Sequence, residues 1–297
     1  MNTLKKLQET YIVHPHVDVA IDKIEACINS TVDGGTPRSL MLVGCPGSGK
    51  TSLIETVIDT TIVEHEHPEI SEESVLLLDT PSPATLKALQ SEYFAAMDAH
   101  IMDIKTDTES KRTKRIIELI KKKGYRIIIN DEIHHFTEKY KNRVESVVCD
   151  FYKTLMKQTR CTFILVGKHE AEIIVQTDAQ LRRRFLGTAR LLRLNKPTAT
   201  DTQFSDFVAE YNGNCPLKIT KFGHDFLCRT YVACDGLPGL YHALIESAIR
   251  CNKDGKKITQ SDIAKAMDLE FQPSESLSFN PYSVTLPRVT AWLEQTV

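Results

Sequence analysis

Residues Gly44-Cys45-Pro46-Gly47-Ser48-Gly49-Lys50-Thr51 fit the spacing G-x-x-x-x-G-K-[ST]. Glycines carry no Cβ, so the main chain can wrap closely around phosphate oxygens, and its N–H groups form an anion nest at a helix start. In such a loop the lysine ammonium reaches the β- and γ-phosphates and the threonine hydroxyl takes a place on Mg²⁺. Lys50 and Thr51 are assigned those roles. Gly44, Pro46, Gly47, Ser48, Gly49 and Ser52 complete the cradle. The match carries weight because it follows an apolar run, Ser39–Gly44, that reads as a strand, and opens a helical pattern.

A second cluster of reactive types is Ile127-Ile128-Ile129-Asn130-Asp131-Glu132, an apolar strand ending in two carboxylates. In nucleotide hydrolysis the first acid holds the Mg²⁺ shell and the second polarises the attacking water, so Asp131 is read as metal-holding and Glu132 as catalytic. A parallel sheet brings the carboxyl ends of its strands to one edge, which would put both acids beside Lys50. His134 and His135 begin a helix cap or contact nucleic acid. No third ligand pattern accompanies them, so a metal role is not expected. Asp131-Glu132-Ile133-His134 imitates a helicase box, but a helicase needs a second motor domain that the remaining chain cannot supply. Asn195-Lys196-Pro197-Thr198 is a faint, broken version of a guanine-specifying N-K-x-D, and Asp-Glu stands where a GTPase has D-x-x-G. ATP is therefore the expected nucleotide, with Mg²⁺.

The elements that must hold these groups are legible around them. Ser39–Gly44, Ser74–Asp79, Arg126–Asn130, Cys161–Gly167 and Arg190–Leu194 read as strands, and the middle three look like parallel strands buried on both faces. Amphipathic stretches at Pro83–Met97, Thr113–Lys123 and Val144–Gln158 alternate with them. The alternation predicts an α/β fold: a parallel five-stranded sheet with helices on both faces. After Leu194 only helical periodicity remains, at Phe204–Tyr211, Lys221–Cys234, Leu240–Cys251 and Ser261–Met267, which predicts a small all-helical domain. The expected divisions are an N-terminal segment 1–37, an α/β domain 38–195, a helical domain 196–270 and a tail 271–297. The 297 residues contain eight cysteines without a CxxC pair, which fits buried thiols in a cytoplasmic protein. No run is apolar enough for a transmembrane helix, and no membrane partner is expected.

Gln180-Leu181-Arg182-Arg183-Arg184-Phe185 lies between the fourth and fifth expected strands. An arginine at that edge can reach a neighbouring subunit's γ-phosphate and stabilise transition-state charge. Arg184 is the preferred finger, with Arg182 and Arg183 equally basic. At this point the chain resembles AAA+ P-loop NTPases, and among them the TniB/TnsC group of transposition regulators related to the phage MuB protein. The resemblance is carried by Gly44–Thr51, Ile127–His134, Leu165-Val166-Gly167, Gln180–Phe185 and Gly236-Leu237-Pro238-Gly239-Leu240, over roughly residues 10–270. It implies that the helical domain is a lid and that the N-terminal segment and lid sandwich the adenine, with Pro238 among the nucleotide contacts. It also implies a homo-oligomeric ring or helical filament around duplex DNA, which recruits or activates a DDE transposase and links it to a target-selection protein. Two features depart from that group. The fourth strand ends in Gly167-Lys168 rather than a polar sensor, with Lys168 as a substitute, and no arginine stands near Gly236–Leu240. Slow, regulatory hydrolysis is the expectation.

The formal net charge of −2 speaks against a generally basic protein, yet it conceals two opposed segments. Thr51 through Leu86 carries eight acids and no Lys or Arg, and Lys105 through Arg126 carries nine basic residues against three acids. Basic side chains neutralise phosphates without reading sequence. Lys105, Lys111, Arg112 and Lys114 are the DNA-binding candidates, with Lys139 and Lys141 as a second group. The alternatives are a replication-initiator or clamp-loader type AAA+ protein and a nucleotide-driven signalling switch that oligomerises without DNA. A nucleotide kinase is disfavoured by the appended helical domain.

Overall fold

Five apolar segments pair as one parallel sheet: β1 (Ser39–Gly44), β2 (Val75–Asp79), β3 (Ile127–Asp131), β4 (Thr162–Gly167) and β5 (Phe185–Leu191), in the spatial order β2-β3-β4-β1-β5. The computed structural model describes residues 7, 11–32, 35–58, 71–99, 106–139, 146–220, 223–252, 255–271, 273 and 277–295. They fall into two compact units, one of His16–Pro46 and Lys50–Leu191, the other of Met1–Pro15, Gly47–Gly49 and Leu192–Val297.

In the first unit β1, β3 and β4 are buried throughout. Side chains alternate across a strand, so Met41, Val43, Ile128, Phe163 and Leu165 join one core. Leu40, Leu42, Ile127, Ile129, Ile164 and Val166 are buried on the opposite face. The first face is covered by α3 (Leu86–Ala96), α4 (Glu109–Lys123) and α6 (Ser146–Thr159), which contribute Leu89, Tyr93, Ile116, Ile120, Tyr152 and Leu155. On the other, the Thr162 hydroxyl donates to the Cys27 carbonyl of α1 (Pro15–Val32). α2 (Lys50–Val57) buries Leu53, Ile54 and Val57. The expected sheet with helices on both faces is present.

Two strand readings need correction. The Leu76-Leu77-Leu78 run of β2 is an edge strand with alternating burial, and Leu77 is 47% exposed. The fifth strand begins at Phe185, where the sequence placed it at Arg190–Leu194. Its first half, Phe-Leu-Gly-Thr, has weak strand character, and Gly187 takes φ +144° beside an irregularity in the pairing with β1. The strand exists because β1 templates it, and Arg184 therefore immediately precedes β5. α4 follows local rules: Thr108 caps its N-terminus and Gly124 closes it in the left-handed region at φ +77°.

The second unit holds α9 (Gln203–Asn214), α10 (His224–Cys234), α11 (Pro238–Cys251), α12 (Gln260–Leu269) and α13 (Leu286–Gln295). It is not purely helical: Lys218–Ile219 (β6) and Lys257–Ile258 (β7) form a short parallel pair, too brief to leave a periodic signal. Thr259 caps α12 in a reciprocal box with Asp262, and Thr202 precedes α9. The tail is folded: Tyr282 and Val289 are buried with Phe226, Val232 and Ile245. All eight cysteines are free thiols. No helix among the described residues is long and apolar enough to cross a membrane.

Candidate functional site

β3, β4 and β1 are parallel neighbours, so their carboxyl ends, Asp131, Gly167 and Gly44, share one sheet edge. Lys50 opens α2 directly after the loop that leaves β1. Its ammonium donates to the carbonyls of Gly44 at 2.9 Å and Cys45 at 3.1 Å. Burial holds its pKa below the usual lysine value, while the nearby carboxylates of Asp131 and Glu132 oppose that shift. The three groups assigned to hydrolysis thus share one electrostatic environment.

Asp131 is buried, and burial raises its pKa above the usual carboxylate value. The Glu132 N–H, donating to Asp131 Oδ1 at 2.6 Å, acts in the opposite sense. Behind it, Tyr152 Oη–H donates to Asn130 Oδ1 at 2.5 Å and Asn130 Nδ2 donates to Thr80 Oγ1 at 2.8 Å. This buried polar chain links β3 to the end of β2 and α6, and fixes the strand end from which Asp131 projects. Sequence reasoning missed it; the Asn-Asp-Glu triplet closing an apolar run was its only trace.

Glu132 stands at φ +54°, rarely adopted by a residue with a Cβ. The turn it begins carries Ile133, whose N–H donates to the Val166 carbonyl at 2.9 Å, and then α5 (His135–Lys139). Gly167 explains why β4 lacks a polar sensor at its end: a Cβ there would lie 3.1 Å from Ile133 and 3.2 Å from the His134 amide nitrogen. The turn that presents Glu132 occupies that space. Lys168 follows, and its charge reaches Lys50.

The glycine-rich loop suits an anionic ligand. Gly47 and Gly49 adopt φ +78° and +89°, so the loop turns its amides in a way that side-chain-bearing residues resist. The Ser48 hydroxyl is buried and has no hydrogen-bond partner within the protein. Thr51 is exposed at the start of α2, as a hydroxyl offered to a metal must be. Gly47–Gly49 cluster with the second unit, where the Gly239 N–H donates to the Gly47 carbonyl at 2.8 Å. Pro238 is the first residue of α11, and a Cβ on Gly239 would come within 2.6 Å of that carbonyl. The Gly-Leu-Pro-Gly sequence is what permits this approach.

The two arginines of the helical region, Arg229 and Arg250, are engaged. Arg229 is buried, paired with Asp225 and donating to the carbonyls of Pro281 and Val284. Arg250 pairs with Glu246 at 2.6 Å. Arg184 is half-buried at the entrance to β5, its carbonyl accepting from the Ser39 N–H, while Arg182 and Arg183 are exposed.

Of the basic candidates, Lys111 and Lys114 are exposed on α4. Arg112 is corrected: it is 3% exposed and donates to the Lys87 carbonyl and the Ser91 hydroxyl of α3, so its guanidinium is used in packing α4 against α3. Arg115 pairs with Asp107 at 2.7 Å. Lys105, Lys141 and the side chain of Lys139 lie outside the described residues.

A family model described as "Bacterial TniB protein" matches residues 4–192. No curated protein matches. Among solved structures, the chain is similar to the ORC2 protein of Aeropyrum pernix, at 13% identity and TM-score 0.60, covering 89% of this chain and 71% of that one. It is similar to Cdc6p of Pyrobaculum aerophilum, at 12% identity and TM-score 0.63, covering 88% and 69%. It is also similar to the A. pernix ORC1 protein solved in complex with DNA, at 14% identity and TM-score 0.58, covering 95% and 83%. At these identities the likeness shows the fold, that of AAA+ ATPases.

Proposed function

The chain belongs to the bacterial TniB family, and on that premise we propose that it is an ATP-dependent regulator of DNA transposition. In this reading it is a cytoplasmic protein that oligomerises on target DNA, recruits or activates a DDE transposase and couples it to a target-selection protein. The observation that carries the enzymatic half is the convergence of Lys50, Asp131 and Glu132 at one sheet edge beside a loop shaped for phosphates.

The geometry supports the following division of labour. The amides of Gly47, Ser48 and Gly49, with Lys50, hold the phosphate chain of ATP. Thr51 and Asp131 would hold Mg²⁺, and the ion would supply charge neutralisation at the phosphoryl oxygens. Glu132, the more exposed of the two acids, orients the attacking water. Arg184 reaches the nucleotide of the adjacent subunit, since a heterologous head-to-tail contact places one subunit's edge on the next subunit's site. Lys168 takes the position where relatives of this fold sense the γ-phosphate. Duplex DNA is engaged through backbone charge, with Lys111 and Lys114 as the described contacts.

A nucleotide-dependent DNA assembly test decides the reading. With ATP or a slowly hydrolysed analogue at low salt, negative-stain microscopy should show rings or filaments on duplex DNA. Lys50→Ala should abolish them. Wild-type protein that forms no DNA complex with ATP overturns the reading in favour of a switch that works without DNA.

A further inference from the structure

His134 and His135 enter the structure with a third partner that the spacing did not reveal. Among the described residues, the ligand atoms of Glu132, His134 and His135 all lie within 4.8 Å of one another. His134 Nε2 is 3.3 Å from Glu132 Oε2, and His135 Nε2 is 3.8 Å from the same oxygen. His134 is buried, and the two imidazole rings sit 4.7 Å apart centre to centre.

The tautomer of His135 gives this cluster its chemistry. Its Nδ1 lies 2.8 Å from the Thr80 carbonyl oxygen, which can only accept, so Nδ1 carries the proton. In the neutral ring Nε2 then directs a lone pair toward Glu132. A lone pair and a carboxylate oxygen do not attract each other; either a proton on Nε2 or a metal ion between the two groups resolves the conflict. Metal-bound histidines commonly donate their other ring N–H to a backbone carbonyl in this manner. Thr80 is itself held, its hydroxyl accepting from Asn130. The left-handed backbone of Glu132 directs its carboxylate without relying on a flexible loop.

We propose that Glu132, His134 and His135 form a site for a divalent transition-metal ion such as Zn²⁺, and that its occupation switches the Walker-type glutamate off. Ligands about 2.1 Å from a tetrahedral zinc are about 3.4 Å apart, close to the two separations seen here, and three protein ligands leave a fourth position for water. Two imidazoles with one carboxylate suit Zn²⁺, Co²⁺ or Ni²⁺, whereas Mg²⁺ seeks oxygen ligands and does not compete for the site. Glu132 with its charge committed to a metal cannot polarise a water for attack. The metal site stands on the geometry of the cluster; its effect on turnover rests on the ATPase reading above.

Cobalt is the probe. Titrating the full chain with CoCl₂ in excess Mg²⁺ should give visible d–d absorption at one equivalent, discharged by Zn²⁺. Glu132→Gln and His135→Asn should each weaken cobalt binding by about tenfold or more. Glu132→Gln alters a half-exposed side chain and keeps the test independent of core packing at His134. Stoichiometric Zn²⁺ should also suppress ATP hydrolysis without displacing a fluorescent nucleotide. Absent d–d bands, bands unchanged in both variants, or near-ultraviolet thiolate charge transfer each overturn the site. A chain that hydrolyses ATP without binding cobalt loses only this inference; one that binds cobalt but never hydrolyses ATP loses the ATPase reading and keeps the site.

Discussion

Arg184 differs from Arg182 and Arg183, the two arginines before it, in being half-buried against the start of β5, where its carbonyl accepts from Ser39. A guanidinium launched from a strand end is held more firmly than one on a loop, and a finger must be held to act on a neighbour's phosphate. Arg184→Ala should leave nucleotide affinity within about twofold while hydrolysis by the DNA-bound oligomer falls roughly 10³-fold, as loss of such a finger does elsewhere. Steady-state turnover alongside fluorescent-nucleotide titration checks this, and unchanged turnover moves the role to Arg182 or Arg183. The glycine-rich loop and the acid pair closing an apolar strand were legible from spacing alone, and the structure brings Lys50, Asp131 and Glu132 close enough to interact. The Asn130–Tyr152–Thr80 chain and the His135–Thr80 contact were not, because they join residues 22 to 55 positions apart and depend on which strands are neighbours.

Elements were readable where burial was uniform. β1, β3 and β4 are apolar throughout because both faces are covered, and their boundaries were recovered to within a residue or so. β5 was displaced because a templated edge strand needs little strand character of its own, and β6 and β7 are too short for any period. The α10–α11 connection illustrates an element closed against its own electrostatics. Asp235 caps α10 in the left-handed region at φ +52°, buried and paired with Arg193 at 2.7 Å. Burial pushes its pKa above the usual carboxylate value, and Arg193 only partly opposes this. The folded state therefore binds this proton more tightly than the unfolded chain. Stability from this group is full at low pH and declines as pH rises from the ordinary carboxylate range through the raised native value. Asn also tolerates the left-handed region. Asp235→Asn should thus raise Tm by about 2 °C at neutral pH, with the gain shrinking toward pH 4, as measured by thermal denaturation across pH.

Across the whole molecule, the largest departure from the sequence reading is the tail. The sequence set it apart from the helical domain, yet Tyr282 is buried with side chains of that domain and its hydroxyl lies 2.8 Å from Thr230 Oγ1. Asn280 donates to the Ala264 carbonyl and to Asp268 on α12, and the Arg288 guanidinium lies 4.8 Å from the centre of the Phe279 ring. Arg229 ties these contacts together, since one guanidinium satisfies two tail carbonyls while pairing with Asp225. Arg229 is used here for architecture. Truncating it leaves one buried and one half-buried acceptor without this donor, at a cost of about 2–4 kcal/mol. Arg229→Ala should therefore lower Tm by several degrees and expose the segment after Leu277 to limited proteolysis. Arg229→Lys should recover only part of the loss, because a single ammonium on a flexible stem cannot reproduce the planar fork. Lys50, in the phosphate loop, should still bind nucleotide in the Ala variant at temperatures below its melt. If the tail stays protease-resistant and Tm is unchanged, the tail is held by its apolar contacts alone and Arg229 is released for a role at the nucleotide.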